Sequence, residues 1–123
     1  MTLELLRGEF AIARLNASGA IPTWAAGEFV SITRTVDELS IVCEASRVPG
    51  GVQAESGWRA LRVAGKLDFS LTGVLASIAD PLASARVSIF AISTFDTDYV
   101  LLRGAQLVAG IEALQGAGHE VAT

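Results

Sequence analysis

The chain has 123 residues, enough for one compact domain or two small modules that share a core. Hydrophobic residues make up 51% and charged ones 18%, which excludes a disordered chain, and a net charge of −4 with no Lys/Arg cluster lacks the basic footprint that nucleic acid demands. No apolar run approaches the ~20 residues needed to cross a bilayer, and Glu4, Arg7 and Glu9 stand where a signal peptide would be apolar, so the sequence reads as cytoplasmic.

Leu3, Leu5 and Leu6, followed by Gly8, read as a short edge strand, and Phe10, Ile12 and Leu15 as a clearer strand over residues 9–15. Residues 16–27 hold Asn16, Ser18, Gly19, Pro22 and Gly27, a turn-forming composition in which Trp24 is expected to fold back on the core. Strand patterns at 29–33 and 38–43 flank Arg34-Thr35-Val36-Asp37, a length that suits an antiparallel hairpin. Pro49-Gly50-Gly51 marks a turn, residues 52–55 allow a short strand that Gly57 punctuates, and residues 58–64 read as a half-exposed strand with Arg59 and Arg62 outward.

The period then changes. Leu71, Val74, Leu75, Ile78 and Leu82 recur at steps of three and four, predicting a helix over 71–85 with Ser70 or Thr72 as its cap. Pro81 removes the bond to the Ser77 carbonyl and is expected to bend or loosen the second half. Residues 87–102 form two apolar strands joined by Ser93-Thr94-Phe95-Asp96-Thr97-Asp98, richer in hydroxyls and carboxylates than a turn requires. A second helix over 105–117 carries Leu107, Val108, Ile111 and Leu114 on one face, and Glu120 and Val121 begin a last strand. From Trp58 onward the order is strand, helix, strand, strand, helix, strand, the α+β pattern of the ferredoxin-like fold.

The chain also resembles itself. Placed sixty residues apart without a gap, Ile32 meets Ile92, Thr33 meets Ser93 and Glu38 meets Asp98, so the first half reads as a second copy that has lost its helices to short loops.

The stretches F-V-S-I-T-R-T-V-D-E-L-S-I-V-C at 29–43, W-R-A-L-R-V-A-G at 58–65, L-D-F-S-L-T-G-V-L at 67–75 and I-S-T-F-D-T-D-Y-V-L at 92–101 resemble ACT-domain proteins. The likeness is to a small stand-alone bacterial group with two such modules in tandem, and to the ACT modules of a eukaryotic arginine sensor. It implies two ACT-like β-rich halves, residues 1–56 without full helices and 57–123 complete. It further implies a regulatory module that binds a small molecule, usually an amino acid, and acts on a separate protein. By position, the ligand-facing residues are Ser70, Leu71, Thr72, Gly73 and Val74 at the helix start, and Thr94, Phe95, Thr97 and Asp98 in the turn. Leu71 stands where the arginine sensor carries an acidic residue.

Elementary chemistry supports such a site. Amides at a helix start attract a carboxylate, Gly73 leaves room for it, and Asp98 offers a charge-assisted hydrogen bond to an ammonium group. Each residue also has a structural role open to it: Asp96 in shaping the turn, Thr94 and Thr97 as strand-end hydroxyls, Ser70 as N-cap, Trp58 and Phe69 in the core. The single cysteine, Cys43, reads as an inert buried thiol, and His119 as a cation complementing a helix end. No nucleophile-plus-base pair, metal constellation, phosphate loop or cofactor motif stands out, so no enzyme is expected. A ligand-less structural module remains the alternative, with a homodimer compatible with either reading.

Overall fold

The computed structural model describes residues 1–65, 67 and 72–123. The strands are β1 (Thr2–Leu5), β2 (Phe10–Leu15), β3 (Ser31–Arg34), β4 (Leu39–Glu44), β5 (Gln53–Val63), β6 (Ile89–Ser93), β7 (Asp98–Arg103) and β8 (Glu120–Ala122), with helices α1 (Val74–Ser84) and α2 (Leu107–Gly116). The chain divides into two units: Gly8–Trp58, and Met1–Arg7 together with Arg59–Thr123.

Within Gly8–Trp58, β4 pairs antiparallel with β3 and with β2, and β2 pairs antiparallel with the first part of β5. Strand alternation puts Leu39, Ile41 and Cys43 of β4 on one face with Ala13 of β2, all buried, and Trp24, Val48 and Val52 pack over them. The folding back of Trp24 is thus observed. The unit contains no α-helix; a 3-10 turn at Ala45–Arg47 is its only helical element. Arg34 donates hydrogen bonds to the carbonyls of Ala17 and Gly19, tying the 16–27 loop to the outer strand.

The two strands expected at 52–55 and 58–64 are one. Gly57, at φ +86°, is a bulge rather than a break: Phe10 faces Trp58 and Ile12 faces Glu55, so β5 advances three residues where β2 advances two.

In the other unit, β7 pairs with β6 and with β5, β5 pairs antiparallel with β1, and β1 pairs parallel with β8. The expectation of an edge strand at Leu3 is corrected here. Leu3 faces Val63 on one side and Val121 on the other, and it is fully buried. Its face is covered by both helices, in a core of Leu3, Leu61, Val63, Val100 and Leu102 from the sheet with Ile78, Leu82 and Leu114 from the helices. Gly110 of α2 permits their close approach, since a Cβ there would lie 3.2 Å from Leu102 Cδ2 and 3.5 Å from Leu82 Cδ2.

Helix α1 begins later than its apolar period suggests. Gly73, at φ +75°, is the N-cap with no side-chain cap, and the first turn closes from Ser77 N to the Gly73 carbonyl at 2.9 Å. Thr72 therefore does not cap it; Ser70 lies outside the described residues. Pro81 does not end the helix, which runs to Ser84. The carbonyl that proline leaves unpaired, that of Ser77, lies 2.8 Å from His119 Nε2. His119 follows α2, is 8% exposed, and donates its own backbone N–H to the Leu114 carbonyl at 3.0 Å. Its ring thus donates to a neighbouring helix instead of standing in solvent at the end of its own.

Cys43 is fully buried, and burial first, with Glu44 adding and Arg47 opposing, pushes its thiol above the ordinary value. Because the unfolded thiol ionises first, its contribution to stability is complete below the ordinary thiol pKa and is lost as pH rises through the folded value. We expect Cys43 to resist a thiol-specific disulfide reagent near neutral pH and to react stoichiometrically in denaturant. Rapid reaction of the folded chain would contradict this placement.

Candidate functional site

The residues singled out in the sequence converge on one hairpin and one helix start. β6 and β7 pair from Ile89 with Leu102 to Ser93 with Asp98, and Thr94 closes the turn. Thr94 N donates to the Thr97 carbonyl at 2.8 Å, Thr94 Oγ1 accepts from Thr97 N at 3.2 Å, and the same hydroxyl donates to the Thr97 carbonyl at 3.0 Å. The turn is therefore shaped by threonine, a role the sequence reading gave to Asp96. Asp96 contributes its backbone carbonyl, which accepts from Leu67 N at 2.7 Å and pins the turn to the loop after β5.

Hairpin registers also correct the internal repeat. Arg34 faces Leu39 in the first hairpin as Ser93 faces Asp98 in the second, so Asp98 corresponds to Leu39 and not to Glu38. The true equivalents are Thr35 with Thr94, Asp37 with Asp96 and Glu38 with Thr97. Thr35 behaves accordingly: its N donates to the Glu38 carbonyl at 2.9 Å, and its hydroxyl accepts from Asp37 N and Glu38 N at 3.1 and 3.2 Å.

The strand's two-residue period then sorts the turn by face. Asp98 alternates with Val100 and Leu102, so it belongs to the helix-covered face; it is half-buried and makes no side-chain hydrogen bond or ion pair among the described residues. Thr97 is 7% exposed and donates its hydroxyl to the Val63 carbonyl at 2.7 Å. Phe95 projects at the tip, 79% exposed. At the helix start, Gly73 and Val74 lead α1, whose Leu75 packs on the same core as Val100 and Leu102. The amides of Val74, Leu75 and Ala76 precede the first intrahelical bond and so have no helical acceptor. Ser70 and Leu71 lie outside the described residues.

The opposite face holds a feature the sequence did not disclose. A cavity of about 360 Å³ is lined by Arg62, Gly65, Thr94, Asp96, Thr97 and Tyr99. Arg62 Nη2 donates to Glu4 Oε1 at 3.0 Å across the β1–β5 pair, and this bond and charge, with a smaller contribution from the Tyr99 hydroxyl, raise the guanidinium above its ordinary value. Arg62 read in the sequence only as the outward side of a strand. Its one legible signal was that it is the second of two arginines in the largely apolar run 58–64. Among the described residues, no group of three or more His, Cys, Asp or Glu is arranged to hold a metal ion, and no helix is long and apolar enough to cross a membrane.

A family model of the ACT domain matches residues 53–116. The chain belongs to the ACT-domain family. A second model, described as an N-terminal domain, matches residues 8–51. Over 59 residues the chain is 42% identical to the Cytosolic arginine sensor for mTORC1 subunit 1 of Homo sapiens, a match covering 47% of this chain and 18% of that protein. The chain thus spans less than a fifth of that relative's length. A crystal structure of a protein from Agrobacterium tumefaciens is 45% identical, with a TM-score of 0.93 over 98% of this ACT chain and 90% of the other. The regulatory subunit of aspartate kinase from Thermus thermophilus shares the fold at 12% identity, TM-score 0.65, over 94% of this chain and 97% of its own. The α+β, ferredoxin-like architecture expected from the element order is the architecture found.

Proposed function

We propose that this ACT protein is a regulatory module that binds an amino acid and acts on a separate protein, without catalytic activity of its own, in the cytoplasm. The observation that carries the reading is Asp98: a half-buried carboxylate, without a partner among the described residues, standing where the first unit has the core residue Leu39. A carboxylate set against the rim of an apolar core is costly unless something pairs with it. The ammonium group of an amino acid would do so, while its carboxylate meets the amides at the start of α1, beside Thr72, Gly73 and Val74. The names of its relatives, an arginine sensor and a kinase regulatory subunit, support a ligand-binding regulatory role.

A thermal-shift screen with the common amino acids tests this. A ligand at 100 times its dissociation constant adds about 2.7 kcal/mol, a rise of several degrees, and Asp98→Ala is expected to diminish the response. Absence of any shift, or an unchanged response in Asp98→Ala, defeats the reading. The mostly exposed β3, which pairs only with β4 among the described residues, favours a second one, a dimerisation module without ligand. It expects association in sedimentation velocity that no metabolite alters.

A further inference from the structure

The cavity on the face of the sheet opposite the two helices shares neither Asp98 nor α1 with the site above. We propose that it is a second binding site, for a small zwitterion carrying one carboxylate and one ammonium group. Its volume of about 360 Å³ lies at the lower end of small-molecule pockets and exceeds what a single water needs.

Two walls carry opposite charge. On one, Glu4 takes an Nη2 hydrogen of Arg62 at 3.0 Å, which orients the guanidinium, and that bond, with a smaller contribution from the Tyr99 hydroxyl, favours its charged form. A guanidinium has five N–H donors, and this bond does not exhaust them. Such a group, fixed and incompletely satisfied, is suited to a carboxylate.

On the other wall, the Asp96 carboxylate makes no hydrogen bond or ion pair among the described residues. Its backbone is nonetheless fixed by the bond from Leu67 N. The neighbouring Thr94 is locked by its own turn, and Thr97 spends its proton on the Val63 carbonyl, so both are walls with set orientation. Gly65, at φ +84°, leaves the rim clear, with no atom within 4 Å of where a Cβ would sit.

Specificity follows from the pairing of signs. A lone carboxylate gains Arg62 but faces Asp96, and a lone amine gains Asp96 but faces Arg62; only a ligand with both groups gains from both walls.

The test is a ¹⁵N-NMR titration of the full chain with glycine, the smallest such zwitterion, and with acetate and methylamine as its two halves. Glycine is expected to give saturable shifts at the amides of Gly65, Thr94, Asp96 and Tyr99, with acetate and methylamine each about tenfold weaker or worse. Asp96→Asn, an exposed and nearly isosteric change, should weaken glycine by about tenfold, and Asp98→Ala should leave it unchanged. The proposal is overturned if glycine gives no saturable shift, if acetate or methylamine matches it, or if Asp96→Asn binds as the parent does. Shifts confined to the surroundings of Val74 and Asp98, and lost in Asp98→Ala, also overturn it, while upholding the regulatory site on the helix-covered face.

Discussion

Leu102→Ala is expected to lower stability by about 2–5 kcal/mol, the range for a fully buried leucine whose surroundings cannot collapse into the space left. Leu102 sits on β7 between the helices and the sheet, fully buried, with its Cδ atoms 3.2 and 3.8 Å from where a Cβ on Gly110 would lie. That geometry makes the loss partly reversible. In the Leu102→Ala background, Gly110→Ala puts a methyl group into the vacated volume and adds about 1 kcal/mol of helix propensity. Urea unfolding of the two variants measures the difference; a double variant no more stable than Leu102→Ala would mean that α2 closes on the sheet without Gly110.

His119→Ala is expected to cost about 0.5–1.5 kcal/mol, because it removes the hydrogen bond to the Ser77 carbonyl that Pro81 cannot serve. The cause is separable. Pro81→Ala restores the missing N–H, so His119→Ala should cost about 1 kcal/mol less in that background than in the parent. Equal costs in both would show that the histidine serves some purpose other than the vacancy left by proline.

Much of this was legible because local patterns and tertiary packing agreed. The three-and-four spacing of Val74, Ile78 and Leu82 marks the face of α1 that buries Ile78 and Leu82. In β2 the strand was legible, but Ile12 and Leu15 are half-buried, and Ala11 and Ala13 join Phe10 among the enclosed positions. What failed depended on partners distant in sequence. Leu3 looked like an edge because nothing nearby reveals that Val63 and Val121 flank it. Pro81 looked disruptive because the donor that repairs it lies beyond the second helix. The repeat was set one residue out by matching apolar strands, which tolerate a slip in similarity though not in structure. Aligning Thr35 and Asp37 on Thr94 and Asp96, the residues that make the turns, would have found it. The candidate site divided for the same reason: Thr97 and Asp98 are neighbours in sequence and lie on opposite faces of a sheet.

The placement of β1 carries a consequence for how the chain is made. Leu3 is made well before either of its neighbours in the sheet, Val63 and Val121. Among the described residues, β2, β3 and β4 find their strand partners within residues 8–58. The nested stretch can therefore close while β1 is still waiting, and the enclosing unit is completed only once β8 has been made.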